Sequence, residues 1–223
     1  MSAPAAIVMS KVLVPEDGHP LTLGREVQPA YERESSAVES VINGAMAGVK
    51  LLVGVCALLI AFLGLLALVD LAVGAAGSAA ARAVGVEANW SITRLLGYAM
   101  WPLAVVMGVP PSDAARAGAM LGQRLVATEV PAYMALAQAI GSNAFSHPRS
   151  PVIIAYALCG FAHVASLAIF VGGTAALVPE RRRDIASVGP RVLLGATLAC
   201  LMTGAVAGTW FHVAETVIRT TGG

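Results

Sequence analysis

The sequence has little charge of either sign. Charged residues make up 12% of its 223 residues and balance to a net charge of +1, whereas soluble domains contain about 25%. With no basic excess, nothing favours a nucleic-acid partner. Apolar residues reach 57%, and the mean hydropathy is +0.77. A soluble domain of this length has too little interior to bury that much apolar surface, so the sequence predicts a protein of the lipid bilayer.

Cysteine is scarce and scattered. Cys56, Cys159 and Cys200 each lie inside a separate apolar run, which argues against a disulfide framework and against a Cys/His metal site. We expect all three to be buried, small apolar side chains. The sequence also has no HExxH, GxSxG or phosphate-binding loop motif and no paired-carboxylate spacing. We therefore do not expect an enzyme, nor a metal or cofactor held by this chain.

Three apolar stretches are long enough to cross a bilayer. With their flanks they predict spanning helices over residues 46–74, 151–178 and 190–212. The most apolar part of the first, residues 51–73, would form a helix of about 34 Å, and the hydrocarbon core is about 30 Å thick. The sequence therefore predicts an all-α integral membrane protein.

The other segments are shorter or more polar. Residues 1–45 carry nine charged side chains, which predicts an aqueous or interfacial lead. Residues 90–110 are too short to span comfortably and begin with aromatic side chains typical of a membrane interface, so we predict an interfacial helix. Those aromatic residues are Trp90, Tyr98 and Trp101. We predict that residues 213–223 form a C-terminal tail.

Residues 112–140 are apolar enough to insert but carry charges that a lipid-facing helix would tolerate poorly. The charged residues are Asp113, Arg116, Arg124 and Glu129. A re-entrant helical hairpin, shielded by protein, tolerates such charges. Pro131 lacks an N–H and clashes with the preceding turn, so we expect a helix break near Glu129–Pro131.

Four arginines determine the predicted orientation. They lie between the last two spanning segments, at Arg181, Arg182, Arg183 and Arg191. The positive-inside rule places the loop 179–191 in the cytoplasm. We accordingly predict a multi-pass protein of the plasma (inner) membrane, whose hairpin enters and leaves from the outer side.

Glu129 and His163 are the polar residues that most need an explanation. An intramembrane carboxylate beside a broken helix is typical of ligand or proton sites in secondary transporters. The alternative is a structural Glu129, paired with Arg124 or with a buried network beyond this chain. His163 and Ser166 are three residues apart and would share one helix face, where they could face Glu129. Alternatively, His163 is an ordinary hydrogen-bonded core residue.

Several segments resemble the concentrative nucleoside transporters. The similarity covers nearly the whole chain in order, and its most specific parts are residues 43–50, 122–133, 157–166 and 179–184. The first of these begins a helix that resembles the family's scaffold helix, and Met1–Ala6 resembles the end of an earlier helix. In the second, Gly122 to Val126 run into Glu129, as in the family's second re-entrant hairpin.

This resemblance implies an ion-coupled nucleoside symporter, driven by sodium or protons, whose transport domain moves like an elevator. Glu129 and Ser166 match positions that hold ribose hydroxyls, and Phe161 matches an aromatic residue beside the ligand. Thr128 and His163 stand where the family normally has asparagine. The predicted substrate-binding set is therefore Glu129, His163, Ser166, Phe161 and Thr128.

The family's first hairpin and its sodium-binding segment would lie upstream of Met1. We therefore predict the C-terminal half of a nucleoside permease, with the N-terminal half as a separate or omitted chain. The resemblance also implies a possible homotrimer. Alone, this chain is expected to be poorly stable and not to move nucleosides. Alternatives are a degenerate membrane fragment with a structural role, or a carrier component for another small polar solute, proton-coupled through Glu129 and His163.

Overall fold

The computed structural model of the chain describes residues 2–19, 24, 34–84 and 90–211. Every regular element within those residues is a helix, as the composition predicted. The helices are α1 (Ser2–Leu13), α2 (Ala37–Val84), α3 (Ile92–Val106), α4 (Pro111–Val126), α5 (Glu129–Gly141), α6 (Arg149–Leu158), α7 (Val164–Leu177) and α8 (Arg182–Thr209). The predicted tail, 213–223, and part of the predicted lead lie outside the described residues.

Helix α2 is longer than the hydropathy predicted. It extends over Ala37–Val84, beyond both ends of the predicted segment 46–74. Its first turn is capped, because Ser36 Oγ accepts from the Glu39 N–H at 3.2 Å. Polar residues such as Glu39 and Lys50 are good helix formers, so a change in polarity does not end the helix. At the other end of α2, Asp70 Oδ1 accepts from the Ile92 N–H at 2.7 Å and so joins α2 to α3.

Helices α3 and α4 pack backbone against backbone. A Cβ atom added at Gly118 would lie 2.7 Å from the Gly97 carbonyl oxygen, and one at Gly122 would overlap the Gly97 backbone nitrogen. Glycine at i and i+4 removes side chains from one helix face and allows this approach. The predicted interfacial helix, 90–110, thus corresponds to α3, which is bound closely to the first arm of the hairpin.

The predicted hairpin consists of two helices with a break, but the break lies earlier than expected. Helix α4 ends at Val126 and α5 begins at Glu129, so residues 127 and 128 separate them. Pro131 lies in the first turn of α5. Proline is tolerated there because the N–H that it lacks has no intrahelical acceptor. Pro131 therefore follows the break instead of causing it.

The predicted helix 151–178 is not continuous. Helix α6 ends at Leu158 and α7 begins at Val164, which leaves residues 159–163 outside regular helix. After α7, a 3₁₀ turn (Pro179–Arg181) leads directly into α8. The predicted loop 179–191 is therefore mostly helical, and Arg191 lies within α8. In the described part of the chain, two continuous helical stretches are long and apolar enough to cross a membrane, Ala37–Ala79 and Pro179–Thr209.

The buried core lies among α3, α4, α5, α6 and α8. Leu121, Ile153 and Leu158 are among its largest fully buried side chains. The prediction for the cysteines is wrong for two of three: Cys200 is buried, but Cys56 and Cys159 are exposed. Cys56 lies on α2, whose most apolar stretch buries no residue, and Cys159 is the C-cap of α6, at the helix break.

Candidate functional site

Two helix breaks meet at the candidate site. Glu129 is the first residue of α5, at the tip of the hairpin, and His163 is the N-cap of α7. Glu129 Oε2 lies 3.1 Å from His163 Nε2. The two atoms are not aligned as a hydrogen bond, and neither has another hydrogen-bond partner among the described residues. A charged or polar pair without other partners is thus held between two helix ends.

His163 is fixed by a reciprocal capping box. Its Nδ1 accepts from the Ser166 N–H at 3.0 Å, and Ser166 Oγ accepts from the His163 N–H at 3.0 Å. Because Nδ1 accepts, it carries a lone pair, so the proton of the neutral ring lies on Nε2. This places an N–H donor beside the Glu129 carboxylate.

Ser166 takes a different place from the one predicted. A continuous helix would have set Ser166 and His163 on one face, but the capping box joins them at the N-terminus of α7. The Ser166 hydroxyl donates to the His163 carbonyl oxygen at 2.6 Å, so its single proton is already committed. Ser166 therefore positions the His163 ring by fixing its backbone and its Nδ1.

Phe161 and Thr128 flank the pair in sequence, each within two residues of one of its members. The Phe161 ring meets the His163 ring edge to face, with centroids 4.7 Å apart, and 44% of the residue is exposed. Phe161 and Ser166 also line an apolar groove of about 310 Å³ beside α7 and α8. Thr128 is the N-cap of α5 with an extended backbone, and its side chain makes no capping hydrogen bond.

Arg124 belongs to this site, although the sequence analysis considered it only as a partner for Glu129. That pairing is wrong. Arg124 is fully buried and donates to the carbonyl oxygens of Ala157 and Ala162 at 2.8 and 3.3 Å. Its third contact is Cys200 Sγ at 3.2 Å. The sequence contained a signal for this role. Arg124 lies in a stretch predicted to insert into the membrane, and no carboxylate lies three or four residues away to pair with it.

The arrangement suits binding of a hydroxyl-bearing ligand. A carboxylate accepts and an imidazole N–H donates, so a ligand hydroxyl that lies beside both atoms could donate to one and accept from the other. Among the described residues, no group of three His, Cys, Asp or Glu side chains could hold a metal ion. The groove of about 310 Å³ is lined by Phe161 and Ser166 but not by Glu129 or His163, and its volume lies at the lower end of ligand pockets, which measure about 300–1,000 Å³.

Comparisons with known proteins identify the family of the chain. The family profile described as "Na+ dependent nucleoside transporter C-terminus" matches residues 1–208. The uncharacterized transporter YutK of Bacillus subtilis is 36% identical over 210 residues, which cover 93% of this chain and 50% of that protein. The nucleoside permease NupC of Helicobacter pylori is 33% identical over 210 residues, covering 93% of this chain and 48% of that protein.

A solved structure extends the comparison to the fold. A variant of CNTnw in an outward-facing state matches with a TM-score of 0.78 and 30% sequence identity. The match covers 92% of this chain and 48% of that one. The chain thus spans about half the length of each of these three relatives.

Proposed function

The chain belongs to the Na⁺-dependent nucleoside transporter family, and on that premise we propose that it forms the C-terminal half of a concentrative nucleoside transporter. Two observations support this. The family profile covers residues 1–208, and the chain spans about half the length of the relatives that it matches. In this proposal the chain moves nucleosides only together with an N-terminal half, supplied by the same polypeptide or by a separate one.

We propose that the sugar of the nucleoside binds at the Glu129–His163 pair. The observation that carries this is the 3.1 Å approach of the two side chains from separate helix breaks, with no other hydrogen-bond partner for either atom among the described residues. Glu129 accepts from the sugar hydroxyls, and His163 donates through Nε2–H. Phe161 lies beside the ligand. Ser166 holds the start of α7 through the capping box, and Thr128 lies at the start of α5, next to Glu129.

The proposal includes an arrangement in the plasma (inner) membrane. Helix α2 spans the membrane as a scaffold, and α4 and α5 form a re-entrant hairpin that opens to the outer side. Helices α6 and α7 together make one broken span, and α8 makes the last span. The arginine-rich turn before α8 lies in the cytoplasm. Symport with sodium or protons, elevator movement and trimer formation also belong to this proposal.

The sugar site is tested by calorimetry on the protein with both halves present. Glu129→Gln preserves size but removes the charge that strengthens the hydrogen bonds, so uridine affinity should fall by about 1.5–3 kcal/mol. The loss should be smaller for 2′-deoxyuridine, which offers one hydroxyl fewer. Glu180→Gln, an exposed glutamate in the turn before α8, is the matched control and should change nothing.

His163→Asn gives an independent reading of the same site. Asparagine keeps a donor and removes the bulk of the imidazole, so uridine affinity should be retained or improved. Unchanged uridine affinity in Glu129→Gln would contradict the sugar site. If the unmodified assembly binds no nucleoside, a structural role or another small polar solute becomes the better explanation.

The requirement for both halves is tested by uptake of radiolabelled uridine into vesicles. Vesicles that contain this chain together with an N-terminal half should accumulate uridine. Vesicles that contain this chain alone should not, because half of the proposed site is absent. Uptake by the chain alone would refute this part of the proposal.

A further inference from the structure

Arg124 is a buried cation without an anion. It is 1% exposed, and no carboxylate forms an ion pair with it in the part of the chain that the structure describes. Burying an unpaired charge costs several kcal/mol in a protein interior, and such a charge is retained only where strong partners replace water. We therefore expect the contacts of Arg124 to have a structural or functional role.

Those partners converge on the break between α6 and α7. The Ala157 carbonyl lies in the last turn of α6, and the Ala162 carbonyl lies in the irregular segment just before α7. Carbonyls at a helix C-terminus have no intrahelical partner and carry partial negative charge. In discontinuous membrane helices, such carbonyls coordinate free cations. Here a guanidinium from another element, the end of α4, occupies that position.

Gly160 and Cys200 complete the enclosure around this guanidinium. A Cβ atom at position 160 would overlap Cys200 Sγ, so only glycine allows the break to lie this close to α8. That Sγ atom lies 3.2 Å from Arg124 Nη2. The guanidinium therefore joins three elements: the hairpin, the α6–α7 break and α8.

We propose that Arg124 is a tethered cation that fills a carbonyl-lined site at the α6–α7 break and so positions His163 opposite Glu129. Ala162 directly precedes His163, so holding its carbonyl fixes the start of α7. Arg124 comes from the same hairpin as Glu129, so one side chain sets the distance between the two breaks. Arg124 does not touch the proposed ligand and acts as a positioning residue.

The test compares Arg124→Lys and Arg124→Met in the protein with both halves present. Arg116→Met is the matched control, because Arg116 lies on the same helix and donates to the Ala144 carbonyl, away from the break. Two quantities are measured: uridine affinity, and the rate at which N-ethylmaleimide alkylates Cys159. Cys159 is the exposed C-cap of α6 and reports on the break. Cys56 lies in the part of α2 proposed to span the membrane, so every protein tested carries Cys56→Ala, and each rate is divided by that of the protein with this change alone.

Arg124→Met should lower uridine affinity about 100-fold or more, because it removes the charge and several charge-assisted hydrogen bonds. Arg124→Lys keeps the charge but not the planar fork, so its loss should be about tenfold. Alkylation of Cys159, relative to the protein with Cys56→Ala alone, should accelerate in the same order. Arg116→Met should change neither quantity.

The inference would be overturned if the Arg124→Met protein bound uridine as tightly as the unmodified protein. It would also be overturned if the Arg124→Lys protein retained no more affinity than the Arg124→Met protein. If Arg124→Met does not fold, Arg124→Lys decides: a graded loss supports the inference, and no change in either quantity overturns it. Only the affinity arm rests on the proposed nucleoside site. If the unmodified protein binds no nucleoside, the proposed function fails, while the alkylation ratio still tests the role of Arg124.

Discussion

Within the described residues, two continuous helices, α2 and α8, are long enough to cross a membrane. They differ in how much of their apolar surface is buried. The more apolar one, α2, buries none of its most apolar stretch, whereas 39% of the corresponding stretch of α8 is buried. Apolar side chains favour both lipid and a protein core, so hydropathy does not distinguish the two environments. The comparison teaches that the most apolar stretch of α2 is not buried by the described residues, while α8 belongs to the packed body.

Small residues account for the difference. A Cβ atom at Gly204 of α8 would lie 2.8 Å from the Ile153 carbonyl oxygen, which shows how closely α8 approaches α6. By contrast, Gly54 and Gly64 of α2 have nothing within 4 Å of an added Cβ. Close packing needs small residues facing a partner, and these two glycines of α2 have none among the described residues.

The largest effect is expected where two backbones touch. Gly122→Ala should destabilise the protein by more than about 3 kcal/mol, because its Cβ would overlap the backbone of Gly97 and neither helix can move aside cheaply. Gly64→Ala in α2 should be neutral or stabilising by up to about 1 kcal/mol, since alanine favours helix. Thermal unfolding in detergent measures both. Strong destabilisation by Gly64→Ala would contradict the difference between α2 and the packed body, and would indicate a partner on that face of α2.

The next effect concerns two aspartates, one in each region. Asp113 is 1% exposed and accepts from the Ser146 and His147 N–H groups at 2.9 and 3.2 Å, and from the Ser150 hydroxyl. Asp113→Ala should cost about 2–3 kcal/mol, because buried donors lose their acceptor. Asp70→Ala, which releases the Ile92 N–H alone, should cost about 1 kcal/mol. Equal shifts in melting temperature would contradict this ranking.

A smaller, more specific effect is expected at the α6–α7 break. Gly160→Ala should destabilise by about 1–3 kcal/mol, because its methyl group overlaps Cys200 Sγ. Adding Cys200→Ala removes that atom and leaves the Cβ of residue 200 at 3.5 Å, an ordinary contact. The double variant should therefore be more stable than the sum of the single changes predicts, with a coupling of about 0.5–3 kcal/mol. Additive melting data would show that the two residues do not touch.

The smallest effect is expected where α2 does meet the body. Gly172 of α7 lies against α2, and a Cβ at Gly172 would overlap Leu58 of α2. Because the obstacle is the end of a flexible side chain, Gly172→Ala should cost less than about 1 kcal/mol. Leu58→Ala in the same protein should remove that cost. A loss as large as that of Gly122→Ala would mean that α2 is held as rigidly as the body.

Much of the fold was predictable because it depends on composition and on charges in unfavourable places. The all-α class and the division of 112–140 into two helices followed from apolar content and four charges. The interruption of 151–178 was not predictable in this way. Between residues 152 and 178 there is no proline, and glycine occurs at positions 160, 172 and 173, so no single residue marks the break. Apolar periodicity indicates which environment a segment faces. It does not indicate whether the helical backbone hydrogen bonds continue through that segment.

The sequence by itself determined that this protein resides in a bilayer, which family it resembles, and that Glu129 and His163 need an explanation. Those conclusions depend on local chemistry, because long apolar runs, and the charges that interrupt them, can be read from the sequence before any packing is known. Only the tertiary structure decided that Arg124 binds the α6–α7 break and that His163 caps α7 opposite Glu129. An interrupted helix has unpaired carbonyls, and the side chain that pairs with them comes from 33 and 38 residues away along the chain.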